Sequence, residues 1–201
     1  MGVPVLVLGR SGSGKSRSIK NLDCGVIKVI EKELPFKSEL KTFTTSDYNK
    51  ICQALLQSKK NSIVIDDAGY LLTDEFMRRS QEKGYDKFTE LANNFYNLIR
   101  FITTQLPREK IVYLTMHEDE SEITGLVKPK TIGKLLDEKV CVEGLFTIVI
   151  RCIDHQFYTN NSGCAKSPEE MFANEVIEND LSLVDNAIRE YYNLKGGEKN
   201  D

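Results

Sequence analysis

Five apolar runs of strand length punctuate the chain, at residues 3–8, 25–30, 62–65, 110–116 and 144–150, rich in valine and isoleucine and largely uninterrupted by polar residues. Runs of this kind predict strands buried on both faces of a parallel sheet. Between them the apolar spacing changes to that of helices. Tyr48, Ile51, Ala54 and Leu55 share one face, as do Phe88, Leu91, Phe95, Leu98 and Ile102 of a longer helix that Pro107 limits. Strand and helix in alternation predict a doubly wound α/β fold with a mostly parallel central sheet flanked by helices.

After residue 150 the pattern changes. A reversal and a short strand over residues 156–159 predict a C-terminal β-hairpin rather than another crossover. Ser167, Pro168 and Glu170 match a helix start, with a capping serine, proline at the first helical position and glutamate three residues beyond the serine. Asp180 is positioned to cap a final helix carrying Leu181, Val184, Ile188 and Tyr191, and residues 195–201 read as a frayed tail. There is no repeat, low-complexity tract or linker, so the 201 residues are expected to form a single domain.

The first of these strands runs into "LGRSGSGKS", which fits G-x-x-x-x-G-K-[ST] through Gly9, Gly14, Lys15 and Ser16, with a strand before it and a helix expected after it. Glycines let the main chain bend around an anion with its amides pointing inward, and a following helix adds its free N–H groups and positive dipole end. The whole loop, Gly9, Arg10, Ser11, Gly12, Ser13, Gly14, Lys15, Ser16 and Arg17, is therefore expected to hold a nucleotide. Lys15 would reach the β and γ phosphates and Ser16 would offer its hydroxyl to Mg²⁺.

Such a loop needs a carboxylate for the metal, and "NSIVIDDAGYLL" supplies Asp66 at the end of the third strand. Asp67 beside it can orient water for attack on the γ phosphate or cap the next helix. Glu31, after the second strand, is a rival base, and Glu33 a weaker one; a solvated charge is the alternative for both. His117 closes the fourth strand at the carboxyl edge, where ligands of open α/β sheets collect, and would sense the γ phosphate by a hydrogen bond unless it is structural. Lys128, Lys130, Lys134 and Lys166 sit in loop settings from which one could reach a neighbouring subunit's phosphates. Arg78 and Arg79, with Tyr85 and Phe88 nearby, are either a DNA contact or an exposed face beside a core-facing aromatic stripe.

Composition narrows this little. Five cysteines without a Cys-x-x-Cys pair read as reduced thiols, and two histidines are too few for a structural metal site. A net charge of −3 gives no global basic field, so nucleic acid would have to be met by a local patch. With no long apolar span and no signal segment, a soluble cytoplasmic protein is expected.

The ordered segments "LGRSGSGKS", "SIVIDDAGYLL", "EFMRRSQEKGYDKF", "KTIGKLLDEKV", "EGLFTIVI" and "AKSPEEMF" resemble the phage-encoded AAA/RecA-like P-loop ATPases, some described as single-strand annealing recombination proteins that are little more than a RecA core. The resemblance implies ATP and Mg²⁺ binding, slow hydrolysis, single-stranded DNA as partner and a role in recombination in the host cytoplasm. It also suggests a single-strand binding protein and further copies of the chain as partners. It assigns Gly9, Gly14, Lys15 and Ser16 to nucleotide and Asp66 to magnesium, and leaves the base open, since full-length RecA-like proteins use a glutamate after the second strand. The chain starts at its first strand, without the segment by which RecA proteins link, so that polymer is not expected. A small-molecule or nucleotide kinase, with Arg78 and Arg79 beginning a lid, and a nucleotide-gated adaptor are the alternative functions.

Overall fold

A computed structural model describes residues 1–121, 123–132 and 135–194 of the chain; Lys134 and the tail over 195–201 lie outside the described residues. The strands are β1 (Val3–Gly9), β2 (Gly25–Lys28), β3 (Thr42–Thr44), β4 (Ser62–Asp66), β5 (Ile111–Glu120), β6 (Val127–Pro129), β7 (Ile148–Ile153), β8 (Gln156–Tyr158) and β9 (Val176–Glu178). The α-helices are α1 (Tyr48–Gln57), α2 (Tyr70–Arg78), α3 (Asp86–Gln105) and α4 (Leu181–Tyr191).

The strands form one mixed sheet in the order β3-β2-β4-β5-β1-β7-β8-β9, with β6 paired antiparallel to the end of β5. From β3 to β7 every pairing is parallel, and β7, β8 and β9 are antiparallel. The fold is thus mixed α/β, a multi-stranded sheet flanked by helices. The expected hairpin is present, widened by a third strand.

Both faces of the inner parallel strands are buried, which is why their sequences do not alternate between polar and apolar, whereas the edge strand β3 is largely exposed. Side chains still alternate between two cores. Leu6, Leu8, Ile63, Ile65, Val112 and Leu114 pack with α1, α2 and α3 on one face. Val5, Val7, Val64, Ile111 and Tyr113 pack with Ile19, Leu22 and α4 on the other.

Two local expectations fail for identifiable reasons. No helix starts at Ser167: its amide donates to Asn160 Oδ1 (2.8 Å), its hydroxyl accepts from Asn160 Nδ2 (2.7 Å), and Glu170 turns left-handed at φ 63°. The cap is consumed by a neighbouring loop, and β9 follows instead. The segment after Lys15 is not an α-helix but a six-residue 3₁₀ stretch, Ser16–Asn21, which Leu22 ends by turning extended. Its Ser18 hydroxyl donates back to Lys15 O at 2.6 Å, tightening the turn. The macrodipole expected there is correspondingly small, and the phosphate-facing amides must come from the loop itself. Asp180 does cap α4, accepting from Ser182 N at 2.8 Å.

Candidate functional site

β1 and β5 run parallel in a register that sets Gly9 beside His117, while β5 separates β1 from β4. Consequently the glycine loop and the paired aspartates leave the sheet at one rim beside His117, which lies within β5 because that strand continues to Glu120 instead of ending before the histidine. Ligands of open α/β sheets bind at such a rim.

Two glycines are needed by the geometry. A Cβ on Gly9 would lie 2.4 Å from Cys152 O on β7 and 2.5 Å from Ser13 Oγ. Gly14, at φ 111°, would set a Cβ 2.2 Å from Asn179 Nδ2 and 2.7 Å from His155 Nδ1. The antiparallel end of the sheet grips the loop's carbonyls: His155 N and Cys152 Sγ donate to Ser13 O (3.0 and 3.1 Å), and Asn179 Nδ2 donates to Gly14 O (3.1 Å). Tying back the carbonyls fixes the peptide planes. Burial pushes the Cys152 thiol up to about 11, so it stays protonated and donates.

Lys15 is buried, and its ammonium donates to Gly9 O and Arg10 O, both at 2.8 Å. Burial lowers its pKa, opposed by the nearby carboxylates of Asp67, Asp66 and Glu118. Ser16 Oγ lies 2.9 Å and 3.1 Å from the two oxygens of Asp66, and Thr115 Oγ1 donates to Asp66 Oδ1 at 2.8 Å. Asp66 is 1% exposed, and burial, then the Asp67 charge, raises its pKa against the hydrogen bonds from Thr115 and Ser16.

Asp67 does not cap α2, whose first residues receive no side-chain bond. It is held at φ 59° with its amide donating to Thr115 Oγ1 at 2.7 Å. Its carboxylate forms an ion pair with Lys32 and lies 3.9 Å from His117 Nε2. The His117 ring meets Tyr70 edge-on at 5.9 Å, and burial, then the nearby Lys15 charge, lowers its pKa. At neutral pH the imidazole is therefore uncharged.

The second-strand candidates fall elsewhere. Glu31 is exposed and lies 3.5 Å from Lys28 Nζ, and Glu33 is exposed; the residue of that loop that enters the site is Lys32. Burial alone would lower the Lys32 pKa, but the Asp67 hydrogen bond and charge outweigh it, and the net shift is upward.

Of the loop's own cations, Arg17 is exposed, and Arg10 turns toward β5, donating to Glu120 Oε2 at 2.9 Å with Glu118 Oε1 3.8 Å away. Glu118 is gripped by Arg151 through two bonds of 2.8 and 3.1 Å. A cleft of about 430 Å³ opens there, on the β7 flank of the loop and away from Asp66, lined in part by Arg10, Ser13, Glu118 and Arg151.

More distant candidates do not join the site. Arg79 is occupied by Glu75, Glu82 and Glu90, and Phe88 packs on Phe76 at 5.8 Å. Lys128 lies on β6 and Lys166 pairs through its main chain with Val149, whereas Lys130, just after β6, borders the site: its amide donates to His117 O at 2.8 Å and its charge adds to the lowering of the His117 pKa.

The donor set fits a triphosphate with magnesium. Ser13 Oγ is buried without a hydrogen-bond partner, and Ser16 with Asp66 offers a hydroxyl and a carboxylate of the kind Mg²⁺ takes alongside phosphate oxygens. Among the described residues no group of three or more His, Cys, Asp or Glu side chains is arranged to hold a metal; an ion held mainly by phosphate and water needs none. All five cysteines are free thiols, and among the described residues no helix is long and apolar enough to cross a membrane. No family model and no curated protein matches the chain.

Proposed function

We propose that the chain is a Mg²⁺-dependent P-loop ATPase of RecA-like type that works on single-stranded DNA as an oligomer in recombination. The observation that carries the nucleotide reading is the meeting of Ser16 Oγ with both oxygens of the buried Asp66, next to a lysine folded onto a glycine loop. A glycine turn that merely ends a strand has no use for a desolvated carboxylate at that point, since burying one without need is costly.

In this reading the loop amides and Lys15 bind the β and γ phosphates. The bound metal supplies charge neutralisation at the phosphoryl group. Ser16 and Asp66 orient it, and Thr115 fixes the Asp66 carboxylate. Asp67 is the base that aligns water, because it faces the rim from a conformation closed to capping, whereas Glu31 points to solvent. Lys32 holds Asp67 in place, and neutral His117 can report on the γ phosphate by hydrogen bonding. The catalytic strategy is positioning and electrostatics.

The experiment is phosphate release from ATP with and without single-stranded DNA, across protein and salt concentrations. Release that needs Mg²⁺, rises with DNA and falls steeply with salt is expected. Release indifferent to DNA under all conditions would contradict the DNA role.

The cleft beside Arg10 and Arg151 favours a second reading, a kinase whose acceptor sits there. That reading requires the γ phosphate to appear on an acceptor instead of in water. The occupied state of Arg79 weakens the lid that a kinase would draw from α2.

A further inference from the structure

Lys32 stands at the rim in a place that no phosphate-loop pattern assigns to a cation. The loop after β2 brings it there on a fixed main chain: its carbonyl accepts from Lys28 Nζ at 3.0 Å, and Lys28 is itself buried. Its ammonium pairs with Asp67 Oδ2, while Asp67 Oδ1 lies 3.9 Å from His117 Nε2.

The two members of this pair differ in exposure. The Asp67 side chain is 5% exposed and the Lys32 side chain 45%. An ammonium carries three donors. Among the described residues Asp67 takes one of them, and no other side chain or carbonyl takes the rest. Asp67 raises the Lys32 pKa, so the group stays charged at neutral pH. A cation nearly half open to water strengthens an ion pair little, so the free donors call for a further partner.

Lys15 and Lys32 serve the same two carboxylates. The charge of Asp67 acts more strongly than any other on each of them, which places both ammonium groups close to it. Lys15 is drawn back onto Gly9 O and Arg10 O, whereas Lys32 remains accessible. A γ phosphate set where Asp67 can align water against it lies close to a like charge. A cation shared by the carboxylate and the phosphate relieves that repulsion. ADP, which lacks the γ phosphate, makes no such demand.

We propose that Lys32 binds the γ phosphate, bridging the Asp67 carboxylate and a terminal phosphate oxygen, and that it is the residue by which the site tells ATP from ADP. The proposal rests on the ATPase reading above and adds to it a cation supplied by the chain's own second-strand loop. In turnover the water oxygen bonds to the γ phosphorus as the bond from that phosphorus to the bridging oxygen breaks. ADP leaves with the electron pair, and the proton of the water passes to Asp67 and then to solvent. Lys32 keeps its proton throughout and offsets charge on the phosphoryl oxygens.

The test compares binding of ADP and of the non-hydrolysable β,γ-imido analogue of ATP, both with Mg²⁺, to the wild type, Lys32→Ala and Lys32→Arg. The wild type is expected to hold the analogue more tightly than ADP. Lys32→Ala should weaken the analogue about tenfold, the loss of one charge-assisted contact, and leave ADP affinity unchanged within about twofold. Lys32→Arg keeps the cation and should restore part of the difference. Lys32→Ala also strips Asp67 of its partner. Asp67→Asn, with and without Lys32→Ala, therefore repeats the comparison without that buried charge and decides the matter if Lys32→Ala alone does not fold; the same loss is expected between the two. Analogue affinity unchanged in Lys32→Ala, even with kcat for phosphate release lowered, would mean that Lys32 merely holds Asp67, and would overturn the proposal. Equal weakening of the analogue and ADP, or equal wild-type affinity for both, would overturn it too and leave nucleotide binding standing. Binding of neither nucleotide by the wild type would overturn the ATPase reading, and this inference with it.

Discussion

Asp66 carries opposing demands, since the chemistry proposed for it needs a charge that folding disfavours. Its raised pKa comes from burial first and the neighbouring Asp67 charge second. The native state therefore holds this proton more tightly than the unfolded chain does. The group's contribution to stability is full below its ordinary value of 3.8 and is lost as pH rises through the higher folded value. Asp66→Asn carries no such charge. In metal-free buffer it should melt above the wild type at neutral pH by about 2–4 °C, the shift that ~1 kcal/mol produces in a domain of this size. The gap should narrow as the pH is lowered through the raised folded value and close below 3.8. Thermal melts across this range check the sign, and a variant that melts lower at neutral pH would contradict it.

At the scale of elements, the loop is a product of two distant segments. Residues 9–16 were legible in the sequence because the phosphate-loop pattern is local, and Asp66 was legible because a strand ends on it. What could not be read was what holds the loop. Cys152, His155 and Asn179 tie down Ser13 O and Gly14 O from the antiparallel strands, and Lys32 rather than Glu31 enters the site. None of these contacts has a sequence spacing that announces it. The one available signal was Lys32 itself, a cation adjoining Glu31. Ser167 shows the converse, a good local cap overruled by Asn160. Gly9 tests the tie between β1 and β7 directly. Gly9→Ala forces a methyl against Cys152 O, a main-chain atom that cannot yield cheaply. A loss of roughly 1–3 kcal/mol is expected, with ATP binding abolished or much reduced. Denaturant titration and ATP titration of the same variant check both, and normal ATP affinity would show that the loop tolerates displacement.

For the whole molecule, the final helix is more than a cover. Asp185 on α4 accepts from Ser62 Oγ of β4 (2.6 Å), Tyr113 Oη of β5 (2.9 Å) and Arg189 Nε (2.6 Å), and Arg189 reaches Glu109 O and Ser62 Oγ. This buried network pins α4 across two central strands on the face opposite α1–α3. The amphipathic pattern of α4 was legible from Leu181, Val184 and Ile188; the polar pin on its buried side was not, because Asp185 reads as a surface charge until its partners are known. Asp185→Ala leaves a buried guanidinium and phenol without their partner and should cost about 3–5 kcal/mol. Melting should fall by on the order of 10 °C, with ATP affinity of the folded protein unchanged at low temperature. A drop in melting of only a degree or two would mean that the network contributes little.

The account stands or falls on whether one triphosphate and one divalent ion are shared by Lys15 and Asp66, and an ATP titration with and without Mg²⁺ on the wild type and Lys15→Ala measures that sharing most directly. The expected result is wild-type binding that tightens with Mg²⁺ and weakens about tenfold or more in Lys15→Ala, the loss of one charge-assisted contact. Equal affinity of the two proteins, or wild-type affinity indifferent to Mg²⁺, would contradict it.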